Sequence, residues 1–206
     1  MFNYVVFDLE TTGFSPESSE IIEIGAWKVE SDIVVSKFSQ LVRPSGYLPT
    51  QVQNLTHITS DMLKDAEGID SVLPQFYDFC SDLPLLGHNL PFDYSFVSTK
   101  AKALGIDFTL NGQRQGIDTL MLARSYLPCQ SHKLCDLADS LGIKVQMTDE
   151  TQYHRASYDA YITKLVYDAL KIKYSALRQV TVPYKLDEGS KAQYGEVKNN
   201  DTLSFE

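Results

Sequence analysis

Five side chains of this chain could do chemistry together: Asp8 and Glu10 in FDLETTG, Asp93 in GHNLPFDYSF, and His154 with Asp159 in HRASYDAY. Asp8 and Glu10 stand two apart behind the apolar run Tyr4, Val5, Val6 and Phe7. On an extended strand both leave the same face, so one strand end presents two carboxylates. Asp93 follows Asn89, a residue type suited to capping a helix, and falls in the first helical turn, where exposed backbone amides favour an ionised acid. Asp159 belongs to a long helix marked by Ile162, Leu165, Val166, Ala169 and Leu170. His154 lies five residues earlier, at or before the helix start. If both were helical, roughly 140° of rotation would separate them, which suits a base held apart from the acids. That many acids in one place repel one another unless divalent cations sit between them. Hard oxygen donors match such cations, and phosphodiester hydrolysis is the chemistry the set supports.

Taken singly, each piece has a plainer reading. An Asp-x-Glu pair is commonly an ordinary strand end, and Thr11, Thr12 and Gly13 are turn residues. Asp93 could support a helix start, and His154 could cap a helix or face solvent. The five together are hard to explain that way. Arg155 reads as a surface or ion-paired residue and stays outside the candidate site.

The elements that must position these groups are legible from apolar periodicity. Residues 3–9, 20–29 and 33–43 read as three strands, followed by a helix around 69–81. A short apolar segment at Leu85 and Leu86 leads to a helix near 90–104, and Ile117 precedes another at 118–127. A helix near 134–141 and a polar loop then lead to His154. The fold class is α/β, a mixed central sheet with helices on both sides.

In order, separation and context, FDLETTG, GHNLPFD and HRASYDA resemble the three exonuclease motifs of the DEDD superfamily, in its histidine-containing branch. The epsilon proofreading subunit of bacterial DNA polymerase III is the best-known member of that branch. The resemblance spans about the first 172 residues and extends to NLTHITSDML, IDTLMLAR and KLCDLADSLGI. It implies a ribonuclease H-like fold whose first three strands are antiparallel. Asp8, Glu10, Asp93 and Asp159 would hold two magnesium or manganese ions, with His154 as the catalytic base. Phe14 and Ile58, with the backbone near Thr11 and Thr12, would lie against the 3′-terminal nucleotide. His57 stands where many members carry glycine.

The expected activity is 3′ to 5′ removal of nucleoside 5′-monophosphates from single-stranded or frayed ends, DNA favoured, as in polymerase proofreading. An RNA-trimming exoribonuclease and a noncatalytic module that binds nucleic-acid ends or a replication protein are the alternatives. A module has no chemical need for all five groups.

Composition bounds these readings. At 206 residues, 43% of them hydrophobic, the chain suits one domain with a sizeable core. No stretch approaches the roughly 20 apolar residues that span a bilayer, and the Met1 end enters a strand directly. A cytoplasmic protein with no membrane partner is expected. Cys80, Cys129 and Cys135 are odd in number and lack zinc-ligand spacing, so they read as reduced thiols. The net charge of −9 is unfavourable for gripping long duplex DNA, but suits an enzyme that holds only a strand end. The exonuclease domain is assigned to 1–178 and a polar, flexible tail to 179–206. At its start, Gln179 to Tyr184 resembles a short sliding-clamp-binding peptide.

Overall fold

The first strand decides which way every later element must face. In a computed structural model, described for residues 3–110, 112–145, 153–174 and 184–185, β1 (Tyr4–Thr11) alternates strictly. Val5, Phe7 and Leu9 point into one core, and Tyr4 and Val6 into another on the opposite face. Asp8 and Glu10 continue the second series, as the period of two requires.

β1 pairs antiparallel with β2 (Ile21–Glu30), and β2 pairs antiparallel with β3 (Ile33–Leu41). The register sets Asp8 opposite Gly25 and Glu10 opposite Glu23. Two short helices follow, α1 (Thr50–Thr56) and α2 (Ser60–Leu63), then α3 (Ile69–Cys80). The chain re-enters the sheet as β4 (Leu85–Gly87), parallel to β1, and continues through α4 (Leu90–Ala103). β5 (Gln115–Asp118) lies parallel to β4 and feeds α5 (Thr119–Tyr126) and α6 (Leu134–Ser140). α7 (Ala156–Lys173) crosses back over β1 and β2.

The sheet order is β3-β2-β1-β4-β5-β6, where β6 is the two-residue strand Tyr184–Lys185, antiparallel to β5. The parallel neighbours β1 and β4 flank the point where strand order reverses, and a crevice opens there at their carboxyl ends. α3 and α4 cover one face through Val72, Leu73, Phe76, Phe96 and Val97. α5, α6 and α7 cover the other through Leu122, Leu137, Ile162, Val166 and Leu170. A third small cluster, Ile22, Leu48, Ile58 and Leu63, seats α1 and α2 beside β2. Among the described residues no helix is long and apolar enough to cross a membrane.

One expectation needs correction, and two elements were not foreseen. The tail assigned to 179–206 includes Tyr184 and Lys185, which hydrogen-bond along the sheet edge as β6. The rest of that segment, with residues 179–183 of the clamp-like peptide, lies outside the described residues. Helices α1 and α2 carried too few residues to show a period, although Thr59 caps α2 by accepting the Met62 N–H. His57 closes α1 at φ 59° and ψ 13°, the left-handed conformation that favours glycine.

α7 and β2 meet at a close joint. A Cβ built on Gly25 would lie 2.0 Å from the Ser157 nitrogen and 2.2 Å from the Ala156 carbonyl carbon. The Trp27 indole N–H donates to the Ser157 carbonyl at 2.8 Å across the same joint. Because neither backbone can yield without unseating the helix, Gly25→Ala should destabilise the chain by about 3 kcal/mol, the upper end of overpacking costs. Urea unfolding followed by circular dichroism checks this; a variant as stable as the parent would mean that the joint is looser than described.

Candidate active site

Three elements deliver the acids to the crevice, and each is anchored separately. Asp8 and Glu10 ride on β1. The chain enters α4 through Asn89 in the left-handed conformation (φ 66°, ψ 44°), and its side chain makes no capping bond, contrary to expectation. Its backbone N–H donates instead to Asp118 Oδ1 at 2.9 Å, and the same oxygen accepts the Leu120 N–H at 2.9 Å. Asp118 thereby ties the start of α4 to the start of α5. Asp93, in the first turn of α4, accepts the Leu9 N–H at 3.2 Å, which joins it to the strand between Asp8 and Glu10.

Asp159 arrives on the first turn of α7, whose entry is held by a buried ion pair. Glu23 accepts from Arg155 Nη2 at 2.7 Å and from the Ala156 N–H at 2.9 Å, satisfying a helix-terminal amide as well as the guanidinium. Arg155 is thus ion-paired, as its position suggested. Glu23 was not singled out in the sequence; only its place opposite Glu10 across the strand pair could have marked it.

His154 lies before the helix start, one of the two placements the sequence left open, so helical rotation does not separate it from Asp159. At φ 65° its backbone turns back, and its N–H donates to Asp159 Oδ2 at 3.1 Å. A ring nitrogen of His154 and carboxylate oxygens of Glu10 and Asp159 all lie within 4.8 Å of one another. The imidazole sits at the lip of the acid cluster.

Burial and mutual repulsion dominate the electrostatics. Burial, then the charges of Asp93, Asp159 and Glu10, pushes Asp8 well above the usual carboxylate range. Glu10 is pushed up to about 9 by burial and then by Asp159 and Glu23. Burial raises Asp93 well above its ordinary value despite the Leu9 hydrogen bond, and raises Asp159 to about 7. His154 is lowered, by burial first and then by His57. Asp159 Oδ1 is buried without a hydrogen-bond partner among the described residues. Hard oxygen donors, carboxylates that resist ionising beside one another and an orphaned buried oxygen are what a divalent-metal site presents. The residues present fit such an ion.

A groove of about 1210 Å³ leads away from Asp159 and His154. Phe14 lines it and is 91% exposed. Ile58 does not line it. The left-handed turn at His57 sends its side chain into the third core cluster, where it is 0% exposed, so it supports the wall from behind. Leu55, from the preceding turn of α1, takes the groove-facing place. Thr11 and Thr12 shape the loop below Phe14. The Thr11 hydroxyl donates to the Gly13 carbonyl at 2.7 Å, and Thr12 Oγ1 accepts the Glu20 N–H at 2.9 Å. Leu55, His88, Arg124, Lys133 and Tyr153 also line the groove and escaped notice in the sequence. Their spacing carries no pattern until the fold assembles them.

Residues 5–167 match a family model described as exonuclease. The chain is 37% identical over 165 residues to the PolC-type DNA polymerase III of Thermotoga maritima and 39% identical over 165 residues to that of Staphylococcus aureus. Each alignment covers 80% of this chain but only 11% of the relative, so the chain spans a small part of those proteins. Among solved structures, exonuclease X in complex with 5′ overhanging duplex DNA superposes with a TM-score of 0.65 at 27% identity, covering 85% of this chain and 93% of that one. Exonuclease I of E. coli with a dT13 oligonucleotide, at 18% identity and a TM-score of 0.73, covers 86% of this chain and 42% of that one, and shares the fold.

The raised acids make a pH prediction. In the folded, metal-free chain Glu10 and Asp159 keep protons that the unfolded chain releases near pH ~4. The folded state therefore binds more protons, and its stability falls as pH rises from about 4 through 7 and towards 9. A divalent ion takes the protons' place and removes that loss. Thermal melts in chelator and in magnesium should show a larger metal-induced rise in Tm at about pH 8.5 than at about pH 6. A rise of equal size at both values would contradict this.

Proposed function

The chain belongs to the exonuclease family, and from that premise we propose that it is a metal-dependent 3′ to 5′ exonuclease acting on single-stranded or frayed DNA ends and releasing nucleoside 5′-monophosphates. The observation that carries the reading is the meeting of Glu10, Asp159 and His154 within 4.8 Å at the head of an open groove, with Asp8 and Asp93 close enough to perturb one another.

Asp8, Glu10, Asp93 and Asp159 would hold two magnesium or manganese ions. Such ions, when bound, supply Lewis-acid stabilisation of charge on the phosphate and make water more acidic. The remaining work falls to this chain's own residues. His154 accepts the proton of the attacking water at a ring nitrogen, and its lowered pKa keeps it neutral and ready to do so near pH 7. Asp159 orients it by holding its backbone N–H. Phe14 and Leu55 offer apolar surface to the terminal bases, and Thr11 and Thr12 shape the loop that carries Phe14.

The relatives support the DNA preference and the polymerase context. PolC-type DNA polymerase III proteins carry a matching region, and exonuclease X was solved on overhanging DNA. Association with a DNA polymerase is the partner reading. Clamp binding through Gln179 to Tyr184 is a further one, tested by titrating a labelled peptide of that segment with purified clamp; absence of saturable binding removes it.

End-labelled DNA and RNA oligonucleotides incubated with magnesium, manganese or chelator test the main reading. Stepwise loss of mononucleotides from the 3′ end of DNA with either metal, and none in chelator, is expected. Asp8→Ala and Asp159→Ala should weaken metal binding and nearly abolish cleavage. His154→Ala should keep its metals and lose about 10²- to 10⁴-fold in rate, the usual worth of a general base. Loss of metal by His154→Ala as complete as by Asp8→Ala would make the histidine a ligand instead. Inertness of the parent under every condition would leave a binding module.

A further inference from the structure

We propose that the groove wall formed by the end of α5 and the segment entering α6 binds the internucleotide phosphates preceding the scissile one, through Arg124 and Lys133. The substrate is then an extended single strand rather than a dinucleotide. This rests on the exonuclease reading of the acid site and extends it along the groove.

The size of the groove points this way first. About 1210 Å³ exceeds the roughly 300–1,000 Å³ typical of pockets for one small ligand, leaving room for several nucleotides. Charge points the same way. In a chain of net charge −9, Arg124 and Lys133 are both exposed, both line the groove, and neither forms an ion pair among the described residues. Asp136, the acid beside them in sequence, is occupied by the Ser131 hydroxyl, which donates to its Oδ2 at 2.5 Å.

The two sides of the groove also differ in chemistry. Leu55 belongs to α1, which packs on the β2 side of the central strand, whereas Arg124 and Lys133 follow β5 on the other side. A single strand has an apolar base edge and an anionic backbone edge. Leu55 and Phe14 suit the first, and Arg124 and Lys133 the second.

The cationic wall is braced. His88, at the end of β4, uses both ring nitrogens: Nδ1 meets Thr119 Oγ1 at 2.9 Å and Nε2 meets the His132 carbonyl at 2.9 Å. A carbonyl only accepts, so Nε2 carries the proton; the one Thr119 hydroxyl hydrogen lies between His88 Nδ1 and the Gly87 carbonyl, 3.2 Å from Thr119 Oγ1. Burial, the largest influence, lowers His88 to about 4 and keeps this neutral tautomer across the working range. His88 therefore fixes the segment next to Lys133 and is a positioning residue.

The test compares the parent with Arg124→Ala, Lys133→Ala and the double variant on two substrates, with magnesium present. One is an oligothymidylate of about a dozen nucleotides; the other is the p-nitrophenyl ester of thymidine 5′-monophosphate, which reaches the acid site but not the wall. The double variant should lose about tenfold in kcat/KM on the oligonucleotide, and its slope of log kcat/KM against log salt should become shallower by about 1.4, or ~0.7 for each lost phosphate contact. Hydrolysis of the ester should stay unchanged, and the charge-keeping pair Arg124→Lys and Lys133→Arg should retain the parental slope. A double variant with parental kcat/KM and salt slope on the oligonucleotide overturns the proposal. Equal losses on both substrates also overturn it, since they report a damaged acid site. A parent inert toward the ester as well as the oligonucleotide instead fails the reading of the acid site, and the phosphate wall falls with it.

Discussion

Carboxylates crowded into a half-buried crevice push one another apart, and the structure around this site is organised to resist that push. No single element could do it. β1 fixes Asp8 and Glu10 through its pairing with β2, α4 is tied to β1 by the Leu9 amide on Asp93, and α7 is tied to β2 by Glu23, Arg155 and the Ala156 amide. Gly25 lets α7 approach β2 at a distance that any side chain would forbid. Removing the repulsion by protonation or by a cation relieves the same strain, which is why metal, pH and stability are linked here.

Much of this was legible in the sequence, and the reason is periodicity. The alternation of β1 placed Asp8 and Glu10 on one face, and the apolar spacing of α7 placed Asp159 on that helix. What escaped depends on contacts between segments distant in the chain. Glu23 gains its role only by lying across from Glu10 and beneath α7, and Asp118 by bridging two helix starts. Ile58 faces the core because His57 adopts a left-handed turn, which no hydrophobic pattern reports. The sequence left open whether His154 belongs to the helix or precedes it, and the turn before α7 decides that.

The same unit occurs in proteins of very different length. It aligns with 93% of exonuclease X but with 11% of the PolC-type polymerases. A site assembled from β1, α4, α7 and the turn into α7 explains how that is workable, because every acid comes from one sheet and its covering helices and the histidine from the residues that lead into one of them. The charge pattern fits this economy. Negative charge predominates over the whole chain, while Arg124 and Lys133 line the groove that leads away from the acid site.

The central claim is that these acids are a cation site, and locating the cations tests it most directly. Crystals grown with manganese and a nucleoside 5′-monophosphate would be measured at the manganese absorption edge. The account predicts anomalous density among the carboxylates of Asp8, Glu10, Asp93 and Asp159, with the phosphate against it. Well-ordered carboxylates with no such density, or manganese bound only elsewhere on the surface, would contradict it.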